Sequence, residues 1–500
     1  MVADPDPGLP WSAVTTGLVR QVIAVLTCIQ LLAAVSLAQN APEPRPPSSP
    51  VPASPSAAST GLTLQDAVQQ ALASYPSVKI ALEETLSARS RVGLMRSQSL
   101  PQANILWQTN RATYNNIPGL LIPQGVVPSL SGTVLPNTSS ASVWGSAGGL
   151  LMSWEPSRFG YRKAEVDAAK AATGAADDRV ILTKLDVAGA AASAYLVVAA
   201  VHEQVRSARA DLSRRQTFAS TIHVLVDNQL RPGADASQAD AELAAARTRL
   251  IQAETAEKVD LASLGELLSA PSSQFHLSSD ALLTSPTEES LAPFIAAGHP
   301  LALEKNNLVE QSKEEARVWS RAYAPRLTLE GSVSGRGSGV KPDGTLLQGT
   351  NGLAPDRENW AVGIQATFAP FDYFLIREQK RIAESNTRVQ QWNYQNTLQT
   401  LSTQVEQAHA QLDGALQIAR NTPVQLAAAR MGESQARARY QAGLANIVEA
   451  TQAQALLEQA EAQDALARIG VWQALLAVYA AQGDVTPFLS RVPSQPAGGR

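Results

Sequence analysis

A stretch of about seventy residues between Pro156 and the Pro232-Gly233 pair contains no proline, and after Gly160 its only glycines are Gly174 and Gly189. Apolar or small residues recur in it every seven positions: Phe159, Val166, Thr173, Val180, Val187, Ala194, Val201 and Ala208, with Arg215 breaking the row before Ile222. A second row, Ala191, Val198, Val205, Leu212, Ala219 and Val226, runs beside it. Two such rows predict a helix with a coiled-coil seam along its length. At 1.5 Å per residue it reaches about 100 Å, whereas a compact globule of this chain length has a radius of gyration of only about 24 Å. An ordinary globule cannot hold such a rod.

The rod is written twice. From residue 371 to 442 helix formers dominate again, with rows Leu398, Val405, Leu412, Ala419, Leu426 and Leu401, Ala408, Ala415, Thr422, Ala429, Ala436. Pro423 interrupts this second rod, where it removes a backbone donor and is expected to kink the helix. Pro76 pairs with Pro300 and Pro101 with Pro325 at an offset of 224, Pro156 with Pro370 at 214, and Gly233 with Gly443 at 210. Each half reads as a short helix, a strand, a loop, a strand, a very long helix, a turn and another long helix, with length differences in loops. Gly233 and Gly443 are assigned to the reversals, because glycine takes the left-handed conformation that closes a helix. Pro232 adds a second breaker at the first. Both turns are expected at one end of the molecule.

The strands are expected opposite those turns. In "RLTLEGSVSGR", Leu327, Leu329 and Val333 alternate with Thr328, Glu330 and Ser334; in "NWAVGIQATFAP", Trp360, Val362, Ile364 and Phe368 alternate with Ala361, Gly363 and Thr367. Period-2 alternation over about ten residues suits a tilted transmembrane strand, with the named apolar residues facing lipid. The first-half pair, roughly 102–114 and 141–154, alternates less cleanly. A half-buried soluble sheet alternates equally well. If the strands do cross a bilayer, four cannot close a barrel, and open edges are not viable in lipid. Several chains must then share one.

The start of the chain favours export. Arg20 precedes the apolar run "VIAVLTCIQLLAAVSLA", and Ser36-Leu37-Ala38 offers small residues at a cleavage site. A membrane anchor is the alternative, but the run is short for one, and a Pro/Ser/Ala-rich tract follows at residues 41–60. Cys28, the only cysteine, lies inside the run, and Leu26-Thr27 before it do not suit lipid attachment. Cleavage after Ala38 leaves no thiol in the mature chain, hence no disulfide. No other apolar run approaches the ~20 residues of a spanning helix.

Chemistry finds no foothold. The histidines, His202, His223, His276, His299 and His409, are scattered, with no cluster at metal-ligand spacing. Neither a Gly-x-x-x-x-Gly-Lys-Ser/Thr loop nor a Gly-x-Ser-x-Gly elbow occurs. No catalytic residue, cofactor or metal is expected. A net charge of −4 gives no argument for nucleic acid.

Taken in order, "LTLQDAVQQALASYP", "SLPQANILW", "YAPRLTLEG", "FAPFDYFLIREQKRIAES" and "RYQAGLANIVEATQAQ" resemble the TolC-like outer-membrane factor family over residues 62–489. The resemblance implies a mainly α fold with a transmembrane β-barrel portion. Long antiparallel helical hairpins form an α-barrel, each protomer carries four strands and an internal repeat, and the assembly is a homotrimer. It further implies residence in the outer membrane with the helices in the periplasm, and passive conduction gated at a periplasmic tip. The partners implied are outer-membrane lipid, a periplasmic adaptor (membrane fusion) protein and an inner-membrane pump of RND or ABC type. The tip entrance in this family often carries two acidic residues; Glu449 matches the first position, but Gln452 occupies the second. Asp235 and Asp240 near the first turn are further candidates. The division expected is a signal at 1–38, a linker at 39–61, repeats at 62–283 and 284–489, and a disordered tail at 490–500. The competing reading is a periplasmic coiled-coil adaptor or scaffold without a pore.

Overall fold

The computed structural model describes residues 62–113, 141–271, 293–341 and 349–492, together with 275, 277, 280–284, 286 and 345–347. The expected signal, the linker, Cys28 and His276 lie outside the described residues. The first half comprises α1 (Leu64–Ser74), α2 (Pro76–Ser97), β1 (Gln102–Thr113), β2 (Ser142–Ser157), α3 (Tyr161–Asp227) and α4 (Gly233–Leu268). The second comprises α5 (Pro300–Arg321), β3 (Arg326–Ser338), β4 (Arg357–Thr367), α6 (Asp372–Gln441), α7 (Ile447–Gln482) and the short α8 (Thr486–Arg491).

Local chemistry sets many of these boundaries. Thr63 and Asp66 form a capping box at the start of α1. Pro76 and Pro300 each open a helix, where a missing N–H costs nothing. The rods run 67 residues in α3 and 70 in α6, each about 100 Å long. Pro423 lies inside α6 without ending it. Their return helices, α4 and α7, have 36 residues each.

The helices pack in sequence rather than around a common centre. Toward the strands, α2 touches α3, α3 touches α5 and α5 touches α6; toward the turns, α4 touches α3, α3 touches α7 and α7 touches α6. The result is a single-layer wall four helices wide. The strands continue it in the order β1-β2-β3-β4, all antiparallel, with a bulge between Trp154 and Ser157.

The main apolar core is a belt midway along the rods. Leu64 and Val68 of α1, Tyr195 and Leu196 of α3, Leu264 and Leu268 of α4, and Trp472 and Leu476 of α7 meet there with Phe488. Burying one such large side chain is worth about 1.5–3 kcal/mol. Polar tips stay bonded: the Tyr195 hydroxyl donates to Leu62 O at 2.8 Å, and Trp472 Nε1 donates to Thr284 O at 3.1 Å.

Three expectations are corrected here. Among the described residues one helix, α3, is long and apolar enough to cross a membrane. Its alanine-rich middle disguised this, and residues such as Val187, Ala191 and Val198 are spent on the belt. Arg215 does not leave the seam: it is 2% exposed, and its Nε donates to Asp211 Oδ2 at 2.8 Å. A charge can hold a seam position when its partner sits one turn away. Residue 490 does not start a tail, because α8 continues to Arg491 and Val492 is buried.

Candidate functional site

Both hairpin turns close in the same way. Leu230 N donates to Leu225 O at 2.8 Å, and Leu444 N donates to Arg439 O at 2.8 Å. The left-handed residue is Gly443 (φ 76) in the second turn but Gln229 (φ 61) in the first. Gly233 is the first residue of α4, preceded by Pro232 as an extended N-cap. Matching Gly233 to Gly443 is thus corrected. Gly443 stands opposite Gln229, and these lie 214 positions apart, as Pro156 and Pro370 do. Like for like misled, because backbone conformation is shared here and residue type is not. A left-handed glutamine carries about 1–2 kcal/mol of strain. Gln229→Gly is expected to stabilise its turn by about 1 kcal/mol and Gly443→Ala to weaken the other similarly, read by protease nicking at the turns.

One tyrosine ties the two hairpins together. Tyr440, in the last turn of α6, is buried against Phe218 of α3 with ring centroids 5.7 Å apart. Its hydroxyl donates to Asp235 Oδ2 in the first turn of α4 at 2.8 Å. The Arg231 guanidinium lies 4.4 Å from the centre of the Tyr440 ring and also donates to the Tyr440 carbonyl. Burial, then the hydrogen bond to the Asp235 carboxylate, push the phenol up to about 12. It therefore keeps the proton it donates. Ile222, Ala239, Ile447 and Ala450 complete a small apolar cluster, while Leu230 and Leu444 project into solvent. Sequence reasoning named Asp235 but missed Tyr440 and Arg231; a tyrosine closing a helix carries no signal until its partner is known.

The other candidate acids also have partners. Asp240 Oδ1 lies 2.9 Å from His223 Nε2, and that hydrogen bond raises the histidine above its ordinary value. Glu449 N donates to the Asn446 cap at 2.9 Å, and its carboxylate lies 3.4 Å from Arg439. Gln452 is exposed.

Between tip and belt, charge replaces grease. Arg215 also reaches Glu242 of α4 at 2.8 Å, Arg249 of α4 lies 3.6 Å from Glu458 of α7, and Arg214 donates to Glu461 of α7 at 2.9 Å. Burial and the nearby Asp211 raise the Glu458 carboxyl. The network bridges the two hairpins.

At the opposite end, register sorts the sheet into two faces. Val333 lies opposite Trp360 and Leu150, Gly331 opposite Val362 and Met152, and Leu329 opposite Ile364 and Trp154. Ile105 opposes Leu150, and Trp107 opposes Gly148. Opposed residues share a face. Thus Ile105, Trp107, Leu150, Met152, Trp154, Leu329, Val333, Trp360, Val362 and Ile364 make one apolar surface, with Leu327 and Phe368 in phase. Trp360 and Val362 are each 79% exposed. The weak alternation of the first-half strands has its reason here: Gly148 leaves room for the Trp107 ring, whose nearest carbon lies 2.4 Å from where a Cβ would stand. The other face carries Gln102, Asn104, Gln108, Thr328, Ser332, Ser334, Asn359 and Gln365.

Among the described residues no group of three or more His, Cys, Asp or Glu is placed to hold a metal.

Comparison with known proteins agrees with this geometry. The sequence profile of the family described as outer membrane efflux protein matches residues 67–270 and 303–484. No curated protein matches the chain by sequence. Among solved structures, a membrane protein from Pseudomonas aeruginosa is 20% identical, with TM-score 0.70, covering 89% of this chain and 97% of that one. The Campylobacter jejuni CmeC outer membrane channel is 17% identical, with TM-score 0.67, over 84% of this chain and 85% of its own. The Neisseria gonorrhoeae MtrE outer membrane channel, solved in an open state, is 18% identical, with TM-score 0.67, over 84% and 89%. These structural likenesses bear on the fold.

Proposed function

This chain belongs to the outer membrane efflux protein family, and from that premise we propose that it is the passive exit duct of a tripartite efflux or type I secretion system. It lies in the outer membrane with its helices in the periplasm. Three copies close a twelve-stranded barrel and, below it, a helical tunnel; each copy supplies two tandem versions of one hairpin unit. A periplasmic adaptor docks at the tip, and an inner-membrane pump of RND or ABC type supplies the energy.

The observation that carries this reading is a four-stranded sheet with two open edges, continuing a row of long helices. β1 and β4 are unpaired sheet edges among the described residues, and the sheet's apolar face is uncovered. Lipid tolerates strands only in closed barrels, and water disfavours a bare apolar face, so one membrane-spanning closure answers both. Because Cys28 is the only cysteine, single cysteines introduced along β1 and β4 of the full chain give a clean test. They should crosslink between copies in outer-membrane fractions as trimers. A monomer released without detergent would refute the duct and restore the scaffold.

The gate is the tie between hairpins. With Tyr440 bonded to Asp235, the α6–α7 turn cannot swing away from the α3–α4 turn; Asp240, Glu449 and Gln452 sit around the entrance those turns frame. A hydrogen bond to a charged group is worth about 1.5–3 kcal/mol. Tyr440→Phe should therefore raise the open fraction of a closed duct by roughly 10-fold or more. The readout is single-channel current in planar bilayers. An unchanged open probability would remove Tyr440 from the gate.

A further inference from the structure

We propose that the end of the barrel farthest from the helices carries an anion-attracting ring built from Arg336 and Arg357, which biases the duct toward anionic solutes; this rests on the trimeric duct above. The two arginines stand directly opposite each other on neighbouring strands. They are in phase with Ser334, Ser332 and Asn359, on the polar face that a barrel turns toward its lumen. Like charges directly opposite destabilise a strand pair. Neither arginine has an ion pair within 4.0 Å among the described residues, although most arginines of the helical wall do.

Within the sheet, the acids that share the polar face lie away from that end. In phase on the polar face stand Arg326, Glu330 and Glu155. All three belong to the helix-proximal part of the sheet, and Glu155 is already within 3.8 Å of Arg158 and 3.5 Å of Arg162. Glu330 is six residues from Arg336, about 20 Å along the strand. Glu358 is out of phase, opposite Gly335 on the apolar face. The sequence between β1 and β2, residues 114–140, contains no Asp, Glu, Lys or Arg. The β3–β4 connection adds Lys341, Asp343 and Asp356, and Asp356 adjoins Arg357 and donates its N–H to the Arg336 carbonyl at 3.1 Å, so acid offsets part of the charge there. Three copies still place six guanidinium groups on the polar face around one opening. Rings of arginine or lysine are how pores favour anions.

The test uses full-length trimers in planar bilayers under a steep KCl gradient, with and without Tyr440→Phe to open the tip. The reversal potential should show chloride preferred over potassium, more strongly at low salt, where screening is weak. Arg336→Gln with Arg357→Gln should lower the chloride-to-potassium permeability ratio roughly threefold. The paired Lys replacements should keep it, and Glu358→Gln on the lipid face should leave it unchanged. A ratio that ignores the Gln pair while current persists overturns the ring and leaves the duct standing. Trimers that pass no current with either tip overturn the duct, and the ring with it.

Discussion

Ile364→Arg is expected to eliminate outer-membrane trimers, even though Ile364 is already 72% exposed in the single chain. In a soluble sheet an arginine at so open a position would change stability by at most a few tenths of a kcal/mol. On the lipid face of a barrel the same replacement costs about 2–4 kcal/mol near the midplane, and each copy would bear it. Gln365→Arg, one residue along and on the polar face, should assemble normally. The comparison is read by heat-modifiable trimer bands from membrane fractions. Equal assembly of the two variants would argue that the apolar face meets something other than lipid.

Arg215→Ala should be the most damaging single change in the helical wall. Arg215 and Asp211 are both 2% exposed at the side chain, and Arg215 also holds Glu242. Removing one partner of a buried pair leaves the other charge stranded, which costs about 3–5 kcal/mol. Replacing both, as Asp211→Leu with Arg215→Met, should cost far less and can even stabilise, because well-packed apolar pairs of similar volume often outperform buried ions. Protease resistance of the tip half and the temperature at which trimers dissociate would report both variants. If the double replacement proves as harmful as the single one, the network's worth lies in its links to Arg249, Glu458 and Glu461 rather than in the pair.

Much of the architecture was legible in residue order because its periodicities are long. Seventy residues of seven-fold recurrence leave little but a rod, and ten residues of strict alternation leave little but a two-faced strand. What stayed hidden depended on who meets whom. Arg215 read as a break because a sequence does not say that Asp211 and Glu242 will meet it. The first turn was assigned to Gly233, while the left-handed position went to Gln229, whose side chain advertises nothing. Tyr440 read as one more helix residue, and its role rests on Asp235, 205 positions away. The faces of β1 and β2 were blurred by glycines that make sense only once Trp107 lies across Gly148.

The two bare margins of the sheet also bear on how such a chain survives its journey. Among the described residues β1 and β4 have no outer strand partner, so a newly exported copy offers their amides and carbonyls to any extended peptide it passes. In the proposed trimer each copy's part of the helical wall is completed within that copy, whereas the ribbons wait for sister molecules, a step that slows as copies become scarce. Low expression should therefore penalise yield more than proportionally, and a periplasmic escort that shields strand margins would be worth the most at that point.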